Sequence, residues 1–200
     1  MRVGIFGGSF NPFHVGHYFV ATAALESCRL DKVLLMPCNV SPFKTNDEPW
    51  QLSGEDRLAM LRDSVGDDQR FGVTDLELRR GGVSYAVDSV AEIKSEYPGD
   101  ELFFIIGMDS LHGLCHWRDV RRLLTMCDII TVARPGVALP DADELGFDAE
   151  TGRRLVNGII QGRLCDISSS EIRSRVAKRQ EIRYLVPPAV EKRLKAIVQP

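Results

Sequence analysis

The sequence predicts an α/β fold in which helices cover both faces of a doubly wound parallel sheet. Short apolar runs alternate with helical patterns along the whole chain, as parallel β-α-β units with right-handed crossovers require. The densest apolar run, Leu102–Ile106, is continuous, which is typical of a central strand buried on both faces. No repeat, low-complexity tract or linker divides the chain, so residues 1–200 are predicted to form a single domain.

Composition is that of an ordinary globular protein. The chain has 200 residues, 44% of them hydrophobic, and a formal net charge of −3, which gives no overall attraction to nucleic acid or to anionic membranes. Its five cysteines are scattered and include no C-x-x-C pair, so neither a disulfide framework nor a zinc knuckle is indicated. No apolar run is long enough for a signal core or a membrane span, and a reducing cytoplasm is the expected location.

In the first half of the chain, apolar runs predict strands and helices, and turn residues mark where these elements end. Strands are predicted at Val3–Phe6, Lys32–Pro37 and Phe71–Asp75. One helix is predicted over Gly16–Cys28, and a second follows Ser53, an N-cap with Asp56 three residues on. The turn-rich segment between these elements, Cys38–Gln51, is predicted to be a loop.

The second half continues the alternation. Helices are predicted from Ser84 or Tyr85 to just before Pro98, from Trp117 to Cys127, from Ser168 onward, and over Pro188–Val198. Strands are predicted over Glu101–Gly107 and from Asp128 to the turn at Arg134–Gly136. The segment Val137–Asn157 is predicted to be loop with a short helix.

The first candidate site is the glycine-rich turn between the first strand and the first helix. Gly7 and Gly8 precede His14 and His17, and a helix start directs backbone N–H groups and the positive end of its dipole at one point, which favours phosphate. The glycines match neither G-x-x-x-x-G-K-[ST] nor G-x-G-x-x-G. Two other interpretations stay open: the histidines as metal ligands, or one of them as a capping or packing residue. Gly16 between them would allow a ligand close to the backbone.

Polar side chains also stand at predicted strand ends, where open α/β sheets bind ligands. Asp109 follows the central strand, and Arg134 follows the next one. Trp117 is either a packing residue or a ring that stacks on a base. Lys44 could reach an anionic substrate or could simply be solvated.

The second candidate site is the helix start at Ser168–Ser170. Ser168 and Glu171 form a capping-box pattern, which would explain the serines without a ligand. Hydroxyl and backbone donors nevertheless converge there, and Arg173 could add a charge-assisted bond to phosphate. The basic residues that follow, Arg173 to Arg183, are read as a solvated helix face in preference to an RNA-binding surface. Two helix N-termini of a kind that binds phosphate suit a nucleoside triphosphate. The residues by themselves do not indicate which reaction the protein catalyses.

Two stretches carry a resemblance that goes further. GGSFNPFHVGH resembles the G-x-F-x-P-x-H-x-G-H signature of the nucleotidyltransferase superfamily, and ISSSEIR resembles its I-S-S-T-x-[IV]-R signature. The stretches SPFK, ELRRGGVSYAVDSV, FFIIGMDSLHGLCHW, ITVARPG and YLVPPAV resemble bacterial nicotinate mononucleotide adenylyltransferases. The resemblance implies a Rossmann-like fold, and a reaction of ATP with nicotinate mononucleotide that gives nicotinate adenine dinucleotide and pyrophosphate, with Mg²⁺ on the triphosphate and no metal held by the protein.

The resemblance also implies roles for individual residues. The predicted catalytic residues are His14, His17 and Arg173, with His17 nearest the α-phosphate. The other predicted ATP contacts are Gly7, Gly8, Ser9, Phe10, Gly16, Gly107, Asp109, Ile167, Ser168 and Ser169. The predicted contacts to the mononucleotide are Lys44, Ser84, Tyr85, Ala86, Trp117 and Arg134. Ala86 stands where the family commonly has Thr, Phe43 where His often precedes the lysine, and Ser170 where Thr is usual.

Other functions would fit part of the same pattern. An adenylyltransferase acting on nicotinamide mononucleotide or phosphopantetheine would share both signatures and differ in the middle of the chain, where the SYAVDS and GLCHW stretches argue against it. A cytidylyltransferase is less favoured still, since its environment for discriminating adenine would differ. A non-catalytic nucleotide-binding or RNA-binding protein would show no turnover and a steep salt dependence of nucleic-acid affinity. The predicted partners are ATP and nicotinate mononucleotide, with neither nucleic acid nor membrane, and whether the protein forms a homo-oligomer is left open.

Overall fold

A computed structural model describes residues 1–43, 51–133, 136 and 138–198 of the chain. Within this range, six strands form one parallel sheet in the order β3-β2-β1-β4-β5-β6. The strands are β1 (Arg2–Gly8), β2 (Lys32–Pro37), β3 (Phe71–Val73), β4 (Glu101–Gly107), β5 (Asp128–Ala133) and β6 (Ile159–Gln161). This order is that of a doubly wound sheet, and it confirms the predicted fold class.

Helices cover both faces of the sheet. The α-helices are α1 (Val15–Ser27), α2 (Gly54–Val65), α3 (Leu76–Arg80), α4 (Ala86–Glu96), α5 (Met108–His112), α6 (Val120–Met126), α7 (Ala149–Asn157), α8 (Ser169–Ala177) and α9 (Pro188–Val198). Short 3₁₀ turns lie at Leu114–His116 and Ala142–Leu145. Apolar residues of α1, α2, α8 and α9 pack in one core layer, and those of α4, α6 and α7 pack in the other. None of the described helices has both the length and the apolar character needed to cross a lipid bilayer.

The structure corrects several element boundaries. The strand predicted over Phe71–Asp75 ends at Val73, since Asp75 already caps α3. The helix predicted from Trp117 begins at Val120, because Trp117 has an extended backbone at the end of the preceding 3₁₀ turn. The edge strand β6 and the short helices α3 and α5 were not predicted. Elements this short carry too little periodicity to be recognised in a sequence.

The order of the strands reverses at the centre of the sheet. The chain proceeds from β1 outward to β2 and β3 and then returns to add β4 on the other side of β1, so Ile5 pairs with both Leu34 and Phe104. The connection that follows β1 and the connection that follows β4 cross opposite faces of the sheet. This opens a crevice at the carboxyl ends of these two strands. The candidate site lies in this crevice.

Candidate active site

Two adjacent cavities among the described residues occupy the carboxyl edge of the sheet. The larger, about 530 Å³, contains both histidines and is called here the histidine cavity. The smaller, about 370 Å³, contains Trp117 and is called the tryptophan cavity. Gly107 and Ser110, at and just beyond the end of β4, line both. Two ligands could therefore lie side by side above β4 with their ends in contact.

The turn between β1 and α1 reverses direction at Phe10. Its φ of 45° lies in the left-handed region, which a bulky residue rarely adopts. The Phe10 ring is only 1% exposed and packs edge-on against Phe6 and Phe13, with ring centroids 5.5 and 5.7 Å away. Burial of the ring thus offsets the backbone strain and holds the turn in place.

His14 and His17 form a stacked pair at the start of α1. Their ring centroids are 3.7 Å apart, and the backbone N–H of His14 donates to Nδ1 of His17 over 3.2 Å. A neutral His17 therefore carries its proton on Nε2. The His17 ring also stacks on Phe13 and meets the edge of Phe10, at centroid distances of 5.6 and 5.0 Å. These contacts confine His17 to one orientation at the wall of the histidine cavity.

His14 is buried, and burial lowers its pKa to about 4. The imidazole is therefore uncharged at neutral pH and offers a hydrogen bond instead of a permanent charge. Its Nδ1 has no hydrogen-bond partner among the described residues. A buried polar atom without a partner is costly, which is expected where a ligand completes the site.

Gly16 makes room for His14. A Cβ atom at position 16 would lie 3.0 Å from His14 Nδ1 and 3.4 Å from Cys165 Sγ. The first distance is shorter than ordinary van der Waals contact, so any side chain here would displace the histidine ring. The sequence predicted that Gly16 lets a ligand come close to the backbone, and the structure adds a second reason for this glycine, because the His14 imidazole lies against it.

We therefore expect Gly16→Ala to lower activity about tenfold or more, because displacement of a positioned group by even 1 Å can cost about 10²-fold. The fold should remain intact, since the atoms nearest to the added methyl group belong to the side chains of His14 and Cys165 and not to the backbone. The measurement is kcat/KM alongside thermal unfolding, and Gly99→Ala is the matched control, with no described atom within 4 Å of its added methyl group. Full activity of Gly16→Ala would show that the position of His14 is unimportant.

The helix start at Ser168–Ser170 docks directly onto the β1–α1 turn. Ser168 Oγ accepts from the N–H of Glu171 over 3.1 Å, which confirms the predicted N-cap. Ser169 Oγ donates to the Pro12 carbonyl over 3.0 Å, and Arg173 Nη1 donates to the Asn11 carbonyl over 2.7 Å. The two stretches singled out in the sequence are thus joined by hydrogen bonds that span about 160 residues of chain.

The predicted contacts divide between the two cavities. The histidine cavity is lined by His14, Gly16, His17, Gly107, Asp109, Ile167, Ser168 and Ser169. The tryptophan cavity is lined by Gly7, Gly8, Ser9, Ser84, Tyr85, Ala86, Gly107 and Trp117. Gly7, Gly8 and Ser9, which are predicted to contact ATP, thus share a cavity with Trp117. Phe10 is in the core, and Lys44 and Arg134 are outside the described residues.

Aromatic rings line one side of the tryptophan cavity. Trp117 lies edge-on to Phe104, at a centroid distance of 5.9 Å, and beside Phe43 at 5.7 Å. The Arg118 guanidinium sits over the Tyr85 ring, 4.5 Å from its centroid. Because Trp117 is only half-buried, it has ring surface left for a planar ligand.

Arg57, in α2, supports the site from beneath the turn, and the sequence did not single it out. It is 7% exposed, and its Nη1 donates to the carbonyls of Ser9 and Cys38 over 2.8 and 2.7 Å. It therefore ties the end of β1 to the end of β2. The sequence does contain a signal for this residue. Arg57 has helical spacing with Met60 and Leu61, which places a charged residue on the apolar face of α2, and all three are buried.

No group of three or more His, Cys, Asp or Glu side chains in the described part of the chain is arranged to hold a metal ion. The histidine cavity instead offers imidazoles, hydroxyl groups and the N-termini of α1 and α8. Groups of this kind bind anionic oxygen atoms, and phosphate is the anion that helix N-termini most often take.

Comparison with known proteins extends these observations. Residues 5–175 match the family model described as cytidylyltransferase-like. The chain is 44% identical over 187 residues to a probable nicotinate-nucleotide adenylyltransferase of Opitutus terrae, covering 94% of this chain and 91% of the relative. It is 39% identical over 209 residues to the protein of the same description from Citrifermentans bemidjiense, covering 98% and 96%.

Solved structures show the same fold at lower identity. A putative nicotinate-nucleotide adenylyltransferase from Vibrio parahaemolyticus superposes with a TM-score of 0.67 at 19% identity, covering 97% of this chain and 99% of that one. The nicotinic acid mononucleotide adenylyltransferase of Plasmodium falciparum, complexed with NaAD, superposes with a TM-score of 0.69 at 17% identity, covering 98% and 95%.

Proposed function

The chain belongs to the nicotinate-nucleotide adenylyltransferases, within the cytidylyltransferase-like family, and from this premise we propose its reaction. It transfers the adenylyl group of ATP to nicotinate mononucleotide and releases pyrophosphate, a step of NAD biosynthesis. The observation that carries the proposal is the pair of cavities that meet at Gly107 and Ser110, because the reaction needs two nucleotides with their phosphates in contact.

We assign the triphosphate to the histidine cavity and the mononucleotide to the tryptophan cavity. Helix starts with serine hydroxyls and two imidazoles suit phosphate oxygens, whereas Trp117 offers a face for the pyridine ring. The N-terminus of α4 at Ser84–Ala86 suits the pyridine carboxylate. Ala86 supplies no hydroxyl, so backbone N–H groups carry this contact. Asp109 is assigned to a ribose, and Lys44 and Arg134 stay predicted contacts of the acidic mononucleotide.

The chemistry needs no protein base. A phosphate oxygen of the mononucleotide forms the new bond to the α-phosphorus as the bond to the β-phosphate oxygen breaks, and pyrophosphate leaves. Charge grows on the oxygens around the α-phosphorus, so hydrogen-bond donors fixed beforehand lower the barrier. His17, held by Phe13 and Phe10, is the donor assigned to the α-phosphate. Ser168 and Ser169 are assigned to the outer phosphates, and Arg173 holds the Asn11 carbonyl and thereby the turn.

Magnesium is proposed to enter as part of the substrate. The triphosphate itself offers the oxygen ligands that Mg²⁺ prefers, and this ion keeps several waters and usually takes few protein ligands. Among the described residues that line the histidine cavity, Asp109 is the one carboxylate, and since it is assigned to a ribose, no protein ligand to Mg²⁺ is proposed. The cytoplasm remains the expected location, in keeping with five free cysteines among the described residues.

Turnover separates this function from its alternatives. With ATP and Mg²⁺, we expect pyrophosphate release with nicotinate mononucleotide to exceed that with nicotinamide mononucleotide by about tenfold or more, since a helix N-terminus favours a charged carboxylate by about 1–2 kcal/mol. Reactions with phosphopantetheine, or with CTP in place of ATP, serve as controls. Equal rates with acid and amide would contradict the substrate assignment. Absence of turnover with salt-sensitive RNA binding would favour the RNA-binding alternative.

A further inference from the structure

Glu77 is a buried carboxyl group that the proposed reaction does not use. It lies on the short helix α3, is 4% exposed, and lines the tryptophan cavity beside Ser84, Tyr85 and Ala86. Burial raises its pKa, while neighbouring hydrogen-bond donors oppose that shift. Burying a carboxyl group is unfavourable unless it has partners, so its contacts should explain why it is there.

The contacts of Glu77 hold the first turn of α4. The Ser89 hydroxyl, in that turn, donates to Glu77 Oε1, and its Oγ also lies 3.3 Å from the Tyr85 carbonyl oxygen. Ser84, just before the helix, lies beside Glu77 in the lining of the tryptophan cavity, and its Oγ accepts from the backbone N–H of Asn39 over 2.9 Å. Glu77 thus ties the first turn of α4 to α3, and Ser84 ties the residue before α4 to the loop after β2.

The Ser89 hydroxyl needs an acceptor. A carboxylate only accepts hydrogen bonds, and its charge strengthens the bond that Ser89 donates. Arg80 balances the charge from outside, with its Nη2 3.8 Å from Glu77 Oε1 and 2.8 Å from Ser89 Oγ. Glutamine has nearly the same shape but no charge, so it would weaken the bond that Ser89 donates and remove the buried counter-ion of Arg80.

We infer that Glu77 is a positioning residue, whose bond from Ser89 holds the first turn of α4 so that the N–H groups at its start face the tryptophan cavity. The N–H groups of Ala86 and Val87 have no acceptor within the helix and are the donors proposed for the pyridine carboxylate. The inference rests on the proposed function, because it concerns how that carboxylate is recognised. Glu77 acts through the backbone it holds and lies apart from the two histidines.

The test is Glu77→Gln, assayed by pyrophosphate release. We expect the KM for nicotinate mononucleotide to rise about tenfold, with kcat and the KM for ATP changed less than about twofold. The preference for the acid over the amide should fall by a similar factor. A variant that merely loosened the fold would affect both substrates and would not change this preference selectively.

Ser89→Ala gives a second, milder test. Ser89 is buried and is not among the described residues that line either cavity, so a rise in the KM for the mononucleotide would come through the groups it contacts at the start of α4, Glu77 and the Tyr85 carbonyl. The matched control is Glu92→Gln, which removes an exposed carboxylate bound to the same Arg80 at 3.4 Å and should leave all constants unchanged.

An unchanged KM for the mononucleotide in both Glu77→Gln and Ser89→Ala, with active wild-type enzyme, would overturn the inference. An equal rise in KM for both substrates would overturn it as well. Lack of turnover by the wild-type protein would instead overturn the proposed function. The wild-type assay therefore tells the two failures apart.

Discussion

Replacing His17 with alanine should lower kcat about 10²–10³-fold, equivalent to about 3–4 kcal/mol of transition-state stabilisation. The His17 ring is fixed by Phe13, Phe10 and the N–H of His14, so its donor is oriented before substrate binds. A donor placed where charge develops contributes more in the transition state than in the ground state. The KM for ATP should therefore change much less than kcat, as steady-state kinetics with varied ATP would measure.

Two controls separate this effect from a general loss of structure. His112→Ala removes an exposed imidazole that is not among the described residues of either cavity, and it should be fully active. His17→Asn keeps a side-chain N–H and should recover part of the lost rate. If His17→Ala changed only the KM for ATP, His17 would be a ground-state contact and the assigned role would be wrong.

Gly158→Ala should produce the largest loss of stability. A Cβ atom at this position would lie 2.3 Å from the carbonyl oxygen of Ile129 in β5. This backbone atom cannot move aside, because β5 is paired on both edges. We expect a cost of about 3 kcal/mol, which in a protein of this size lowers Tm by about 6–12 °C. Thermal unfolding followed by circular dichroism measures it.

The control for Gly158→Ala is Gly99→Ala. Gly99 is exposed, and no described atom lies within 4 Å of its added methyl group, so stability should change by less than about 1 kcal/mol. Activity should fall in Gly158→Ala as well, since β6 leads into the segment that carries Cys165 and Ser168 to the histidine cavity. An unchanged Tm would mean that β6 can shift away from β5 without loss.

The sequence was most informative where a local pattern has a single physical solution. The uninterrupted apolar run Leu102–Ile106 is typical of a strand buried on both faces, and it forms the central β4. Ser168 three residues before Glu171 indicated a helix start, and Ser168 does cap α8. Weak local patterns were less informative, as with β6, whose three residues lie on the edge of the sheet.

Within the site, the sequence identified both helix N-termini that suit phosphate, but it did not indicate that hydrogen bonds join them. The bonds from Ser169 to Pro12 and from Arg173 to Asn11 join residues more than 150 positions apart. Arg57 and Glu77 were missed for the same reason, because their partners lie on other elements. The sequence around a buried charged residue does not indicate which distant group will pair with it.

The sequence by itself determined the alternation of strands and helices, the parallel doubly wound sheet and the two signature turns, since periodicity and helix capping act over a few residues. Tertiary structure alone decided that the crevice contains two cavities, that Gly7, Gly8 and Ser9 face Trp117, and that Gly16 must leave space for His14. These features depend on contacts between distant segments. Only the folded backbone, with its strand order reversed beside β1, brings those segments within a few ångströms of each other.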